Sequence, residues 1–276
     1  VRYPYLLLKS VESMESNCDW LQRRLGLGEA GLRKMVLRLP TLLGYSVENS
    51  IAPKLDWLQT RLDLDDVQLR KMVLTLPSLF NYSVENNMEP KLHWLQTRLD
   101  LDGEQLRKVA GHVSVLSTSI DILESKLDWL QTRLDLDAEQ LRKIVLLLPA
   151  VLSYSVEDNM APKFDWLQTR LDLDEEELKK MVVAFPALLN YSVEANLEPK
   201  LCFYEEELGL SPSEVRASIV SAPARLGLSL KKRYRPRLEV CRAAGVDASL
   251  VLSYSTQTDE KFCKRVGVPL EALRAA

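Results

Sequence analysis

Leu76-Pro77-Ser78-Leu79-Phe80-Asn81-Tyr82-Ser83-Val84-Glu85 decides how the rest of the chain is read, because the chain keeps rewriting it. Leu39-Pro40 runs into Tyr45-Ser46-Val47-Glu48. Leu148-Pro149 runs into Tyr154-Ser155-Val156-Glu157, and Phe185-Pro186 into Tyr191-Ser192-Val193-Glu194. Pro40 and Pro77 are 37 residues apart, as are Pro149 and Pro186, and Pro186 and Pro223. A fixed period of this size marks a solenoid, whose units are each too small to bury a core alone. The expectation is an all-α solenoid of about six stacked units forming one domain over residues 1–276. Residues 1–20 read as a partial repeat, 21–242 as repeats and 243–276 as a capping segment.

A second row fixes the register. Trp20, Trp57, Trp94, Trp129 and Trp166 occupy one position, continued by Phe203 and Val240, at intervals of 37, 37, 35, 37, 37 and 37. The short interval falls in Gly103 to Ser125, which has Ser114 for the usual proline and Ser117 for the usual tyrosine. This is the degenerate unit.

Each unit reads as two helices. In the first, Leu69, Met72, Val73 and Leu76 lie at i, i+3, i+4 and i+7, the pattern of one buried face. Asp65 and Asp66 can cap its start, and Pro77 ends it. Ser78 to Asn81 has the length of a 3₁₀ turn. The second helix is capped by Ser83, and its stripe is typified by Ile51, Leu55, Leu58 and Leu62. Pro53, Pro90, Pro162, Pro199 and Pro236 recur seven residues after the serines, where a proline costs about 3 kcal/mol in a helix interior. One helix, capped at the serine and bent near the proline, is expected.

Composition narrows the function. The longest apolar runs, such as Ile144 to Leu152, hold nine residues and a proline, too short for the ~20 that a membrane helix needs. Cys18, Cys202, Cys241 and Cys263 have no metal-site or CxxC spacing and read as reduced thiols. His93 and His112 stand alone and read as structural. No nucleophile elbow or phosphate loop is present, and the carboxylates recur with the repeat, so neither an enzyme nor a cofactor is expected.

Net charge is −3, yet it is unevenly placed. Residues 1–203 hold 24 basic and 30 acidic residues, whereas Arg216 to Arg242 holds eight basic and one acidic. Three basic rows follow the repeat. Lys54, Lys91, Lys126, Lys163, Lys200 and Arg237 come after the proline. Arg24, Arg61, Arg98, Arg133 and Arg170 lie four residues after the tryptophan. Arg33-Lys34, Arg70-Lys71, Arg107-Lys108, Arg142-Lys143 and Lys179-Lys180 sit on the first helix. Acidic rows accompany them, including Asp63, Asp100, Asp135 and Asp172. In a solenoid, one residue per unit becomes a stripe, and a cationic stripe suits phosphates. Each row also admits the plain reading of a solvated helix face. The sharpest candidate is Lys231, Lys232, Arg233, Arg235 and Arg237, where Ser-Leu-Lys replaces Ser-Val-Glu. The tryptophan and tyrosine rows read as core, with tyrosine hydroxyls bonding between units.

The unit "LP-hydrophobic-Leu-x-Tyr-Ser-Val-Glu-x-Asn-x-x-Pro-Lys-Leu-x-Trp-Leu" resembles the repeat of the mTERF (mitochondrial transcription termination factor) family from Tyr3 to about Arg242. Ser229 to Arg233 with Pro236 to Val240 looks like that family's last repeat, and Asp259 to Phe262 like its terminal helix. The resemblance implies two α-helices and a 3₁₀ turn per unit, stacked into a curved half-ring superhelix. It implies a mitochondrial or chloroplast protein that binds double-stranded DNA and controls transcription, for example its termination. RNA binding, or a protein-interaction scaffold in organelle ribosome biogenesis, is the alternative. A monomer is expected. Since Tyr3-Pro4 matches the middle of a repeat, the chain is expected to be a piece of a longer protein whose targeting segment is absent.

Overall fold

A computed structural model of the chain describes residues 9–275 except Val113. The partial repeat read at Tyr3-Pro4 lies outside the described residues. Among these the fold is all helical, with no strand. By its internal packing the chain divides into two compact units, Val1–Asp128 and Trp129–Ala276.

The repeat is built as its residues dictate. The first helix of the second full repeat spans Asp66–Thr75, and Asp65 and Gln68 close a capping box at its start. Asp102 with Gln105, Asp137 with Gln140 and Asp174 with Glu177 do the same. Pro77 opens a 3₁₀ turn, Pro77–Asn81, and its equivalents open Pro40–Gly44, Pro149–Ser153, Pro186–Asn190 and Pro223–Gly227. Leu69 and Val73 are fully buried, Met72 nearly so, and Leu76 half-buried. On the second helix Ile51, Leu55, Leu58 and Leu62 are at most 2% exposed, and each such residue contributes about 1.5–3 kcal/mol by leaving water.

The second helix resolves the proline puzzle in an unforeseen way. Ser46, Ser83, Ser155, Ser192 and Ser229 all cap, each accepting an N–H bond from the third residue on. The chain after the cap is a π turn, such as Val84–Met88, and it passes directly into the α-helix carrying the proline, Glu89–Leu99. Met88 N–H bonds the Ser83 carbonyl five residues back (3.0 Å), and Ile51, Met160, Leu197 and Tyr234 repeat that i−5 bond. The wider turn gives way before the proline, which cannot donate and whose ring crowds the carbonyl four residues earlier.

Two helices show that proline and π turn travel together. From capping serine to tryptophan position the proline-bearing helices span 11 residues, as from Ser83 to Trp94. Ser10 to Trp20 and Ser119 to Trp129 span 10, with Ser16 and Ser125 in place of proline. Both are plain α-helices, Val11–Leu25 and Ile120–Arg133, with i−4 bonds from Met14 to Ser10 and Leu123 to Ser119. The degenerate unit loses its other residue earlier. Its first helix, Gly103–Ala110, is two residues shorter than its neighbours and is followed by a short α turn, Ser114–Ser117, instead of a 3₁₀ turn.

The acidic row Asp63, Asp100, Asp135 and Asp172 has a backbone role. Each residue sits at the end of a second helix with φ of 47–51°. This is the left-handed position that glycine usually takes, as Gly26, Gly209 and Gly245 do here. The C-terminal segment holds the short helix Leu250–Ser253 and then two longer ones, Asp259–Val266 and Leu270–Ala275. Gly267, at φ 75°, ends the first of the longer two.

Candidate nucleic-acid interface

Tracing every basic row to its partners separates cations used by the fold from those free to meet a ligand. The row after the proline is internal. Lys91, Lys163 and Lys200 are 3–6% exposed. Lys54 bonds the Phe80 carbonyl (2.5 Å), Lys91 that of Leu116 (2.6 Å) and Lys163 that of Leu189 (2.5 Å). Lys200 bonds the Leu226 carbonyl and lies 4.9 Å from the Tyr191 ring centre. Each ammonium thus ties one repeat to the 3₁₀ turn, or its counterpart, of the next. Burial pushes all four lysines below the ordinary range, Lys200 to about 8. Lys126 is half-buried and not free. In this row the ammonium groups of Lys91, Lys163 and Lys200 are buried against carbonyl oxygens of the fold, while Lys54 and Lys126 are half-buried.

The row after the tryptophan is also spent between repeats. Arg24 meets Asp56 (3.0 Å), and Arg61 grips Glu89 through two bonds of 2.9–3.0 Å. Arg98 meets Glu124 and Asp128 at 2.7 and 2.9 Å, Arg133 meets Glu175 at 2.5 Å, and Arg170 holds Glu198 and Glu205. Glu205, and then Glu198, raise Arg170 above its already high range against the opposing effect of burial. In the structure this row forms inter-repeat ion pairs.

The closing cluster divides. Arg237 is 1% exposed and donates to the carbonyls of Tyr254, Ser255 and Gln257 and to the Asp259 carboxylate. Arg233 donates to the Ser255 and Gln257 carbonyls, and Arg235 to Glu207. Arg233 and Arg237 fasten the C-terminal segment, and Arg235, itself exposed, pairs with the repeat before it. Lys231 and Lys232 remain exposed, and unpaired among the described residues.

On the first helices the paired residues split by position. Arg107 reaches back to the Asp63 carbonyl (2.8 Å), Lys179 to that of Asp135 (2.5 Å) and Arg216 to that of Asp172 (3.0 Å). The second member of each pair points away. Lys34, Lys71, Lys108 and Lys143 are exposed without a hydrogen-bond or ion-pair partner among the described residues, and Lys180 has only Glu176 at 3.6 Å. In the sequence the two members of the pair form one row. What separates them is adjacency, since consecutive helix residues point about 100° apart and only one can lean back on its neighbour.

The aromatic rows stay with the fold. The tryptophans are half-buried at repeat seams, where Trp94 donates to Glu124 (2.7 Å) and Trp129 stacks on Phe164 at 5.7 Å. Tyr45 donates to Asn81 (2.7 Å) and Tyr154 to Asn190, one repeat on. Tyr191 stacks on Phe185, and Gly227 replaces the asparagine it would meet. His93 and His112 are exposed, Cys241 and Cys263 are buried, and Cys18 and Cys202 half-buried, all four as free thiols.

The mTERF family model matches residues 1–121 and 98–263, nearly the whole chain. The chain belongs to the mTERF family. mTERF proteins are in general organellar and nucleic-acid-binding, acting in control of organelle gene expression. A search among curated proteins finds no match. No helix among the described residues is long and apolar enough to cross a membrane.

Proposed function

We propose that this mTERF chain is a non-enzymatic binder of double-stranded DNA that regulates transcription, including its termination, in a mitochondrion or chloroplast, acting as a single copy. The observation that carries the reading is the sorting of its cations. Most cations of two of the three repeated basic rows are engaged within the fold, and of the third the second members, Lys34, Lys71, Lys108 and Lys143, are left on exposed helix faces, as are Lys231 and Lys232. Packed helices lie about 10 Å apart, and that step is about three base steps of a duplex. A row of one lysine per repeat therefore suits contact with phosphates, and it carries no base code.

The carboxylates support binding over catalysis, since they cap helices, hold left-handed turns or pair with arginines of the preceding repeat. A duplex should avoid the serine-capped ends of the second helices, where Glu48, Glu85, Glu157 and Glu194 are all exposed. That acidic row is also what favours the second reading, a scaffold for a basic protein. Salt titration of duplex binding separates the two. Changing Lys34, Lys71 and Lys108 to glutamine should reduce the slope of log affinity against log salt by about 2.7, at −0.9 per contact. An unchanged slope with the fold intact would favour the scaffold.

A further inference from the structure

We infer that the first unit carries a nucleotide-sized groove at the degenerate repeat, and that it takes one unpaired nucleotide, a base with its phosphate. The groove lies between helix Asp66–Thr75 and helix Gly103–Ala110, with a volume of about 660 Å³. Its origin is legible. Counted from the capping aspartate, Gly111 stands where other repeats carry Leu74, Leu146 and Val183, all half-buried. With no side chain there and no 3₁₀ turn after it, the wall between neighbouring first helices is missing.

What lines the gap has the chemistry of a nucleotide. Met72 and Leu64, 4% and 7% exposed, form an apolar floor on which a flat base can rest, and a thioether suits an aromatic face. Thr75, whose hydroxyl donates to the Lys71 carbonyl and so can accept, and His112 line the gap as partners for base edges. Lys71 and Lys108, one from each wall, are the free lysines of the proposed phosphate row. They face one carboxylate in the groove, Glu104, since Arg107 is already engaged by Asp63. A purely apolar guest would leave both ammonium groups unused, and a bare anion would leave the floor uncovered. Aromatic and apolar platforms beside cations are how single-stranded bases are held.

The inference deepens the nucleic-acid reading, and its test runs independently of duplex binding. The full chain, labelled with ¹⁵N, is titrated with 5′-AMP, adenosine and inorganic phosphate in separate arms. AMP should shift the Thr75, Gly111 and His112 amides saturably and at least about fivefold more tightly than either half alone. Gly111→Leu, which restores the side chain of the other repeats, should weaken AMP at least about tenfold. Thr75→Trp should do the same, which keeps the test valid if Gly111→Leu disturbs the helix end. Phosphate acting as strongly as AMP, or AMP binding unchanged in both variants, overturns the inference. Loss of duplex binding with the AMP response intact would instead overturn the duplex reading and leave the groove standing.

Discussion

Replacing Lys200 with methionine tests the buried lysine row by an effect that contacts alone would not produce. Lys200 is 3% exposed, with the Leu226 carbonyl and Asn196 as acceptors, and burial lowers its pKa from 10.5 to about 8. Below pH 8 the folded and unfolded chains both hold the proton, and the cost of burying the charge is constant. Between about 8 and 10.5 the unfolded chain binds more protons, so stability rises with pH. At about pH 9.5 the gain relative to pH 7 is about 2 kcal/mol, from about 1.5 pH units at 1.36 kcal/mol each. Lys200→Met removes this gain. It also removes the donor to the Leu226 carbonyl, a loss of about 1–3 kcal/mol that opposes the relief of a buried charge. The two proteins should therefore be close in stability at pH 7, and the parent should lead by about 2 kcal/mol more at pH 9.5 than at pH 7. Urea unfolding of both proteins at the two pH values supplies the comparison. Titration of the buried Cys241, Cys263, Tyr204 and Tyr234 cancels in the difference. A difference that stays constant with pH would refute the reasoning, because it would mean that the carbonyl and the Tyr191 ring solvate the ammonium as well as water does.

Other outcomes follow from the same contacts. Changing both Lys231 and Lys232 to glutamine should reduce the duplex salt slope by about 1.8 without loss of fold. Arg237→Met should instead loosen the C-terminal segment, read as faster hydrogen exchange over residues 254–266. Gly227→Ala would place a Cβ 2.7 Å from the Phe185 ring, and should cost about 1–3 kcal/mol by overpacking in denaturant unfolding. Arg61→Ala should cost about 1 kcal/mol at low salt and much less at 1 M salt, since the Glu89 pair is a quarter to two-fifths exposed and is screened. Hydrogen exchange should find residues 103–125 opening at lower free energy than their flanks, and uniform protection would contradict this.

The repeat unit was legible because its breakers and caps act locally. A capping serine, an aspartate at a helix start and a proline each bias a few backbone angles, and they do so whatever packs around them. The π turn has no local mark of its own and shows only in a comparison across repeats. Each proline-bearing helix holds one more residue between Ser and Trp than Ser10–Trp20 or Ser119–Trp129. That extra residue is the one the wide turn absorbs. Proline at that position is therefore better understood as the mark of an inserted residue than as a bend imposed on an ordinary helix.

The charges were less legible, and the reason is general for a solenoid. A repeat places each cation next to two environments, its own unit and the next, while the sequence displays only the first. Lys200 and Lys180 look alike in the chain, and both have an acidic neighbour within four residues. What separates them lies some 26 residues away for Lys200, where the Leu226 carbonyl sits in a 3₁₀ turn, whereas Lys180 faces solvent. The same distance effect explains Arg237, whose acceptors are 17 to 22 residues onward in a segment outside the repeats. Local charge density therefore does not show that, of the five cations in the Lys231–Arg237 cluster, three have partners in the fold and two are unpaired among the described residues. A net acidic chain can still offer a cationic face, because its carboxylates pair with the inter-repeat arginines and leave the Lys34, Lys71 and Lys108 row without an ion-pair partner among the described residues.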